Sequence, residues 1–294
     1  MLADDVYNIA LTLVPNLKCH DARKLVEMVG SAKFIFENVG QVKDMLSGRS
    51  KRIAELLQSQ QILKEAERQL RIIKDKNINM LYFTDKVFPK KLLDCYDCPL
   101  VLYSYNSFDY NDYFTIGIVG TRKADANAKK FIYSFVEKLK SENRKILVVS
   151  GLAEGADTFA HSACLDFKLP TLAVLGHGFD RIYPRKNRDL ANSIFTSGGV
   201  LVTEFYWGYP MFGVNFLQRN RILAGLCDAV IVVQSGLAGG SLNTAELANA
   251  YCRDVFAVPG RFDDSLSLGC NNLIKTNKAA ILTSFNDFKY YMGW

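Results

Sequence analysis

The residues with the clearest chemical potential are glycines that end apolar runs and are followed by hydroxyls or cations. At 116–122 the sequence reads I-G-I-V-G-T-R, which puts Gly120, Thr121 and Arg122 where an apolar run stops. At 151–157 it reads G-L-A-E-G-A-D, opening on Gly151, and at 239–241 it reads G-G-S, ending on Gly240 and Ser241. A strand that feeds a glycine turn and then a helix offers unpaired backbone N–H groups to an anion, and phosphate suits such turns. The G-x-x-G-T-R spacing is not the G-x-G-x-x-G of dinucleotide enzymes, and no acidic ribose-binding residue is evident.

Cations and aromatics accompany these turns. Residues 176–188 carry Arg181, Arg185, Lys186, Asn187 and Arg188, interleaved with Phe179 and Tyr183. The Q-R-N-R-I segment at 218–222 reads as the opening of a helix, with Arg219, Asn220 and Arg221 near its N-terminus. Tyr206, Trp207, Tyr209 and Phe212 lie between them. A mononucleotide needs one glycine turn and one or two cations. Several along one rim suit an extended polyanion, with phosphates in the turns and bases stacked on aromatics. Signs of catalysis are weaker. Asp157 and His161 are four apart on a helix and can hydrogen-bond, but no Ser or Cys nucleophile with a recognisable elbow accompanies them. They read as a structural pair that fixes the 151–155 loop. Glu204 and Glu246 are the carboxylates placed for acid–base work. His20 and His177 have no metal-ligand spacing, and no catalytic residue, metal or cofactor is expected.

Bringing those residues to one rim requires a particular scaffold. Continuous apolar runs at 115–119, 146–150, 171–175, 200–203, 229–233 and 255–258, with a short one at 280–283, alternate with helical stretches such as 124–140. That alternation predicts an α/β fold, an extended Rossmann-like parallel sheet with helices on both faces, whose ligands bind beyond the carboxyl ends of the strands. Before it, residues 1–75 have helical spacing in 6–13, 22–29, 32–39 and 53–73, with Pro15, Gly30, Gly40 and Gly48 in the connections. The chain therefore divides into a small helical domain, 1–75, and a sheet domain, 76–294. The polar segment 51–76 reads as a solvated helix joining the two. The segment 14–25 sits where a helix-hairpin-helix would place its glycine hairpin, but Asn16, Leu17, Lys18 and Cys19 stand there. It serves either DNA contact or packing and dimerisation. Short strands at 80–84 and 100–105 extend the sheet edge, closed by Tyr103, Tyr105, Phe108, Tyr110, Tyr113 and Phe114.

The whole-chain balance agrees. With 294 residues, 49% apolar and 22% charged, the sequence describes a globular protein. A formal charge of +6 permits a polyanionic partner. Seven irregularly spaced cysteines, including the lone pair Cys95 and Cys98, match neither a disulfide framework nor a zinc site, and suit a reducing cytoplasm. The N-terminus has no signal-peptide pattern. The apolar run 222–233 is broken by Asp228 and is too short to span a bilayer.

Taken in order, these motifs are similar to those of the DNA-processing protein A (DprA/Smf) family. The matching blocks are I-V-G-T-R at 118–122, S-G-L-A-E-G-A-D-T-F-A-H at 150–161 and A-V-L-G-H-G-F-D-R-I-Y-P-R-K-N at 173–187, then T-E-F at 203–205, R-N-R-I-L-A-G-L at 219–226, G-G-S-L-N-T-A at 239–245 and V-F-A-V-P-G at 255–260. With F-P-K-K-L at 88–92 and P-L-V-L-Y at 99–103, the resemblance spans roughly 80–285. It implies a non-enzymatic, cytoplasmic homodimer that binds and protects single-stranded DNA without sequence preference and loads the RecA recombinase in natural transformation. Arg122 would be the principal phosphate contact. Gly120, Thr121, Gly151, Arg185, Lys186, Asn187, Arg219, Asn220, Arg221, Gly240 and Ser241 would complete the site, and residues 271–282 would form the dimer contact. The sequence departs from the family in three places. Gln234 replaces a common Glu, the hairpin glycines are missing, and no C-terminal winged helix follows the Rossmann pattern before Trp294. An alternative is a nucleoside-monophosphate phosphoribohydrolase resembling lysine decarboxylases. The segment G-G-S-L-N-T-A-E at 239–246 partly matches that family's loop and would make Glu246 the catalytic carboxylate.

Overall fold

The structure is a computed structural model that describes residues 2–45 and 50–294; Gly48, read above as part of a connection, lies outside them. The chain forms two compact units, 1–88 with 96–104, and 89–95 with 105–294.

In the first unit α1 (Asp4–Thr12), α2 (Cys19–Val29), α3 (Ala32–Glu37), α4 (Val39–Val42), α5 (Ser50–Leu57) and α6 (Gln60–Asp75) enclose a core that includes Ile9, Leu11, Ile35 and Leu57. Local signals set the ends. Asp4 and Asp5 place negative charge at the start of α1, Gly30 closes α2 at φ +91°, and the Ser31 hydroxyl accepts the Phe34 N–H at the start of α3. The polar segment after residue 50 is two helices, and α6 is no solvated joiner. It buries Ala66, Leu70 and Ile73 on one face and packs against α1. The helical spacing was real, but the length of the polar face hid a narrow apolar stripe. The strands β1 (Asn79–Tyr82) and β2 (Val101–Tyr105) pair antiparallel, with Asn79 opposite Ser104 and Tyr82 opposite Val101. Compactness groups most of this hairpin with the helical residues, and in hydrogen-bonded strand order β1 and β2 stand at the edge of the sheet, as expected.

The second unit begins with α7 (Lys90–Leu93). It continues through β3 (Phe114–Gly120), α8 (Ala126–Ser141), β4 (Ile146–Ser150), α9 (Ala156–Asp166), β5 (Thr171–Val174), α10 (Arg188–Thr196) and β6 (Val200–Thr203). Then come α11 (Gly213–Leu226), β7 (Ala229–Gln234), α12 (Gly240–Ala250), β8 (Asp254–Ala257), α13 (Leu268–Lys275), β9 (Ala280–Ile281) and α14 (Phe285–Met292). Its strands lie in the order β6-β5-β4-β3-β7-β8-β9, all parallel. Their central residues are apolar on both faces because helices cover both. One face buries Ile118, Ile132, Val136, Ile231, Phe256 and Phe288; Leu175, Ile194 and Leu201 belong to a smaller cluster. From β3 the chain winds outward through β4, β5 and β6, then returns to the other side of β3 with β7. The connections after β3 and β7 diverge there, leaving a crevice at the carboxyl end of the sheet.

Candidate phosphate-binding cleft

A cleft of about 400 Å³ occupies that switch point. Its floor is the end of β3, where the register with β7 shifts between Val119 and Gly120. Gly120 is required by close packing, since a Cβ there would lie 2.7 Å from Ala156 Cβ and 3.0 Å from the Gln234 carbonyl. Thr121 N–H donates to the Gln234 carbonyl at 2.7 Å, and the Thr121 carbonyl accepts from Ala156 N–H at 3.3 Å. Arg122 leaves this braced turn exposed, and no carboxylate among the described residues pairs with it. One wall is a single face of α11, carrying Gly213, Phe216, Leu217, Asn220 and Leu223 at helical spacing. The other is the loop after β7 and the start of α12, Ser235 to Ser241.

Of the three turns read as anion-ready, two have backbone amides taken up by a carboxylate of this chain. Asp125 caps α8, its carboxylate accepting the Asn127 and Ala128 N–H groups at 2.9 Å each. The bond from Ala128 is the largest cause holding that carboxyl below its ordinary range. Before α9, the Gly151 and Ala153 N–H groups already donate to Asp157, at 3.1 and 3.2 Å. At α12 no side chain caps the helix, Gly239 sits at its start, and Gly240 and Ser241 face the cleft. Its first amides are available to an anion.

Arg219, Asn220 and Arg221 do not open a helix. α11 starts five residues before Gln218, so all three lie mid-helix and buried. Nothing at Phe212 and Gly213 resembles a polar cap, which is why the earlier start was invisible. Arg219 donates to the carbonyls of Gly151, at 2.7 Å, and Val174, tying the ends of β4 and β5 to α11. Asn220 reaches the Gly240 carbonyl at 3.2 Å and Asn243 at 3.3 Å, tying α11 to the open start of α12. Arg221 forms a buried ion pair with Glu204 away from the cleft lining.

Seven of the twelve expected residues therefore line the cleft: Gly120, Thr121, Arg122, Arg219, Asn220, Gly240 and Ser241. Gly151, Arg185, Lys186, Asn187 and Arg221 do not. Asn187 is a brace, donating to the carbonyls of Leu152 and Ala153 and to the Thr158 hydroxyl at 2.9–3.1 Å. Lys186 is exposed and pairs with Glu154 at 3.3 Å. Arg185 is exposed, and Arg181 is neutralised by its neighbour Asp180. Sequence reasoning missed Lys123, which is exposed and lines the cleft, and the α11 wall.

The Asp157–His161 pair is not formed. His161 Nδ1 meets the Thr171 hydroxyl at 2.8 Å, and burial pushes the imidazole down to about 3. Asp157 does fix the 151–155 loop, through backbone amides rather than through histidine. Burial raises its pKa, and the positive charge of Arg219 works the other way. It is the only carboxylate lining the cleft among the described residues. Glu204 is held by Arg221, and Glu246 is exposed and pairs with Lys278 at 3.6 Å. Neither of the two carboxylates singled out for acid–base work therefore reaches the cleft. No cluster of metal ligands occurs among the described residues, and none of their helices is long and apolar enough to cross a membrane.

This architecture defines a doubly wound α/β protein whose switch-point crevice presents exposed cations and the uncapped start of α12. Residues 79–292 match the family described as DNA recombination-mediator protein A, and the chain belongs to it. It is 38% identical over 203 residues to the DNA processing protein DprA of Streptococcus pneumoniae, covering 69% of this chain and 70% of that one. It is 35% identical over 221 residues to protein Smf of Escherichia coli, covering 75% of this chain and 58% of that one. The X-ray structure of the Streptococcus pneumoniae protein superposes with a TM-score of 0.76 at 30% identity, covering 97% of this chain and 96% of the other. The Helicobacter pylori DNA processing protein A, solved for its single-stranded DNA binding mode, superposes at 0.65 with 25% identity, covering 73% and 95%.

Proposed function

We propose that this protein binds single-stranded DNA without sequence preference, protects it, and helps load the RecA recombinase during DNA uptake, acting as a cytoplasmic homodimer rather than as an enzyme. The observation that carries the reading is Arg122, an exposed and unpaired cation at the mouth of a cleft that also holds the open start of α12. Guanidinium and helix amides grip phosphate and sugar, which are the same at every nucleotide, so such contacts bind without reading bases. The Helicobacter pylori relative's single-stranded DNA binding mode supports the choice of ligand, and the family's description as recombination mediators supports hand-over to a recombinase. The dimer would pair through residues 271–282, which run from within α13 through β9. The phosphoribohydrolase alternative is the weaker reading, because Glu246 points to Lys278 and not into the cleft.

Fluorescence anisotropy with labelled oligo-dT and an equal-length duplex, at two salt concentrations, tests the proposal. Arg122→Ala should weaken oligo-dT binding and reduce the slope of log K against log salt by about one. Its melting temperature should stay that of the wild type. Unchanged affinity in the variant, or an affinity indifferent to salt, would remove the cleft as the DNA site.

A further inference from the structure

The cleft has an apolar side that the phosphate contacts leave unused. Leu217 lines it and is 50% exposed, on the first turns of a helix whose second half, Arg219 to Leu226, is buried. Phe212 and Val214, on either side of the lining residue Gly213, are 58% and 62% exposed. Across the cleft Leu237, between the lining residues Gly236 and Ala238, is 66% exposed. Phe216, beside Leu217, packs its ring against that of Tyr183 in a tilted contact with centroids 5.3 Å apart, which holds this wall in place. Large apolar side chains left in water around one cleft mark an interaction surface. The exposed charges at the same cleft, Arg122 and Lys123, specify a ligand that is anionic along one edge and flat and apolar beside it.

Resting on the reading under Proposed function, we infer that the α11 wall is a platform for unstacked nucleobases, centred on Leu217 and flanked by Val214 and Leu237, and that it separates single strands from duplex. A phosphate cradle alone treats the two alike, because both present phosphates. In a duplex the bases are paired and stacked inward, out of reach of a wall set back in a cleft. In a single strand they splay out and lie on apolar side chains while the phosphates stay on Arg122.

Three oligomers of equal length distinguish the terms: oligo-dT, a fully abasic strand of the same charge, and a duplex. The wild type should bind oligo-dT about tenfold more tightly than the abasic strand. Leu217→Ser should lose about fivefold on oligo-dT and nothing on the abasic strand. Val214→Ser should act in the same direction. Both positions are exposed, so both variants should melt with the wild type. Arg122→Ala, in contrast, should weaken both strands. Wild-type affinity for oligo-dT in Leu217→Ser and Val214→Ser overturns the inference and returns the surface to a protein partner. Equal loss on oligo-dT and the abasic strand overturns it too, since no base would then be sensed. If the wild type binds neither strand, the DNA reading itself fails and this inference falls with it.

Discussion

Arg219 provides the sharpest test of how the cleft is built. The rim reading of the sequence makes it a DNA contact that can be removed without harm to the fold. The structure makes it a buried tie, 5% exposed, donating to the carbonyls that end β4 and β5. Arg219→Met keeps the aliphatic volume and removes the charge. Two buried carbonyls then lose a donor, at about 1–3 kcal/mol each. Asp157 also loses the opposite charge that offsets its burial. Together these amount to about 3–5 kcal/mol, the range for breaking a buried charged pair on one side. Urea denaturation followed by tryptophan fluorescence should show the midpoint falling by about 1–2 M. The deficit should also depend on pH. Burial raises the folded-state pKa of Asp157, so the folded state holds that proton more tightly than the unfolded chain, and ionisation costs stability as pH rises through the window between the two values. Losing Arg219 widens the window upward. The deficit should therefore be smallest below about pH 4, where only the lost carbonyl bonds remain, and grow as pH rises. A loss under about 1 kcal/mol at neutral pH would refute the reasoning and restore Arg219 as a free rim cation.

Two further outcomes follow from the same region. Gly155 sits at φ +77° and a Cβ there would lie 2.4 Å from the Thr121 carbonyl, so Gly155→Ala should cost about 2–4 kcal/mol and displace the turn that presents Arg122; a melting temperature within about 2 °C of the wild type would contradict this. His161, fully buried with its pKa pushed down to about 3, should show imidazole NMR shifts that stay constant from pH 8 to 5. Because the unfolded chain takes up that proton first, this group lowers stability by about 1.4 kcal/mol per pH unit as pH falls from its ordinary value toward the depressed one. An imidazole midpoint near its ordinary value would show that His161 is not shut away from solvent.

The sequence by itself determined the parallel sheet, because strands covered on both faces must be apolar along their whole length, and runs such as 146–150 and 229–233 carry that mark without needing any partner to be known. It also located the turn at Gly120–Arg122, since an apolar run that ends in a glycine, a hydroxyl and a cation is a local signal. Which polar groups remain available was a different matter. Asp125 and Asn187 look like ordinary loop residues and Asp157 like the partner of a histidine, yet they take up the amides of two of the three expected anion turns or pin the loops beside them. Arg219 and Arg221 look like surface cations, yet one holds strand ends and the other a buried glutamate. Hydrogen bonds spanning 68 residues between Arg219 and Gly151, or 35 between Asn187 and Leu152, leave no periodic trace in a chain. Only the folding of β4, β5 and α11 onto one another decided that Arg122 stays free for a ligand while the arginines on α11 are spent on the scaffold that presents it.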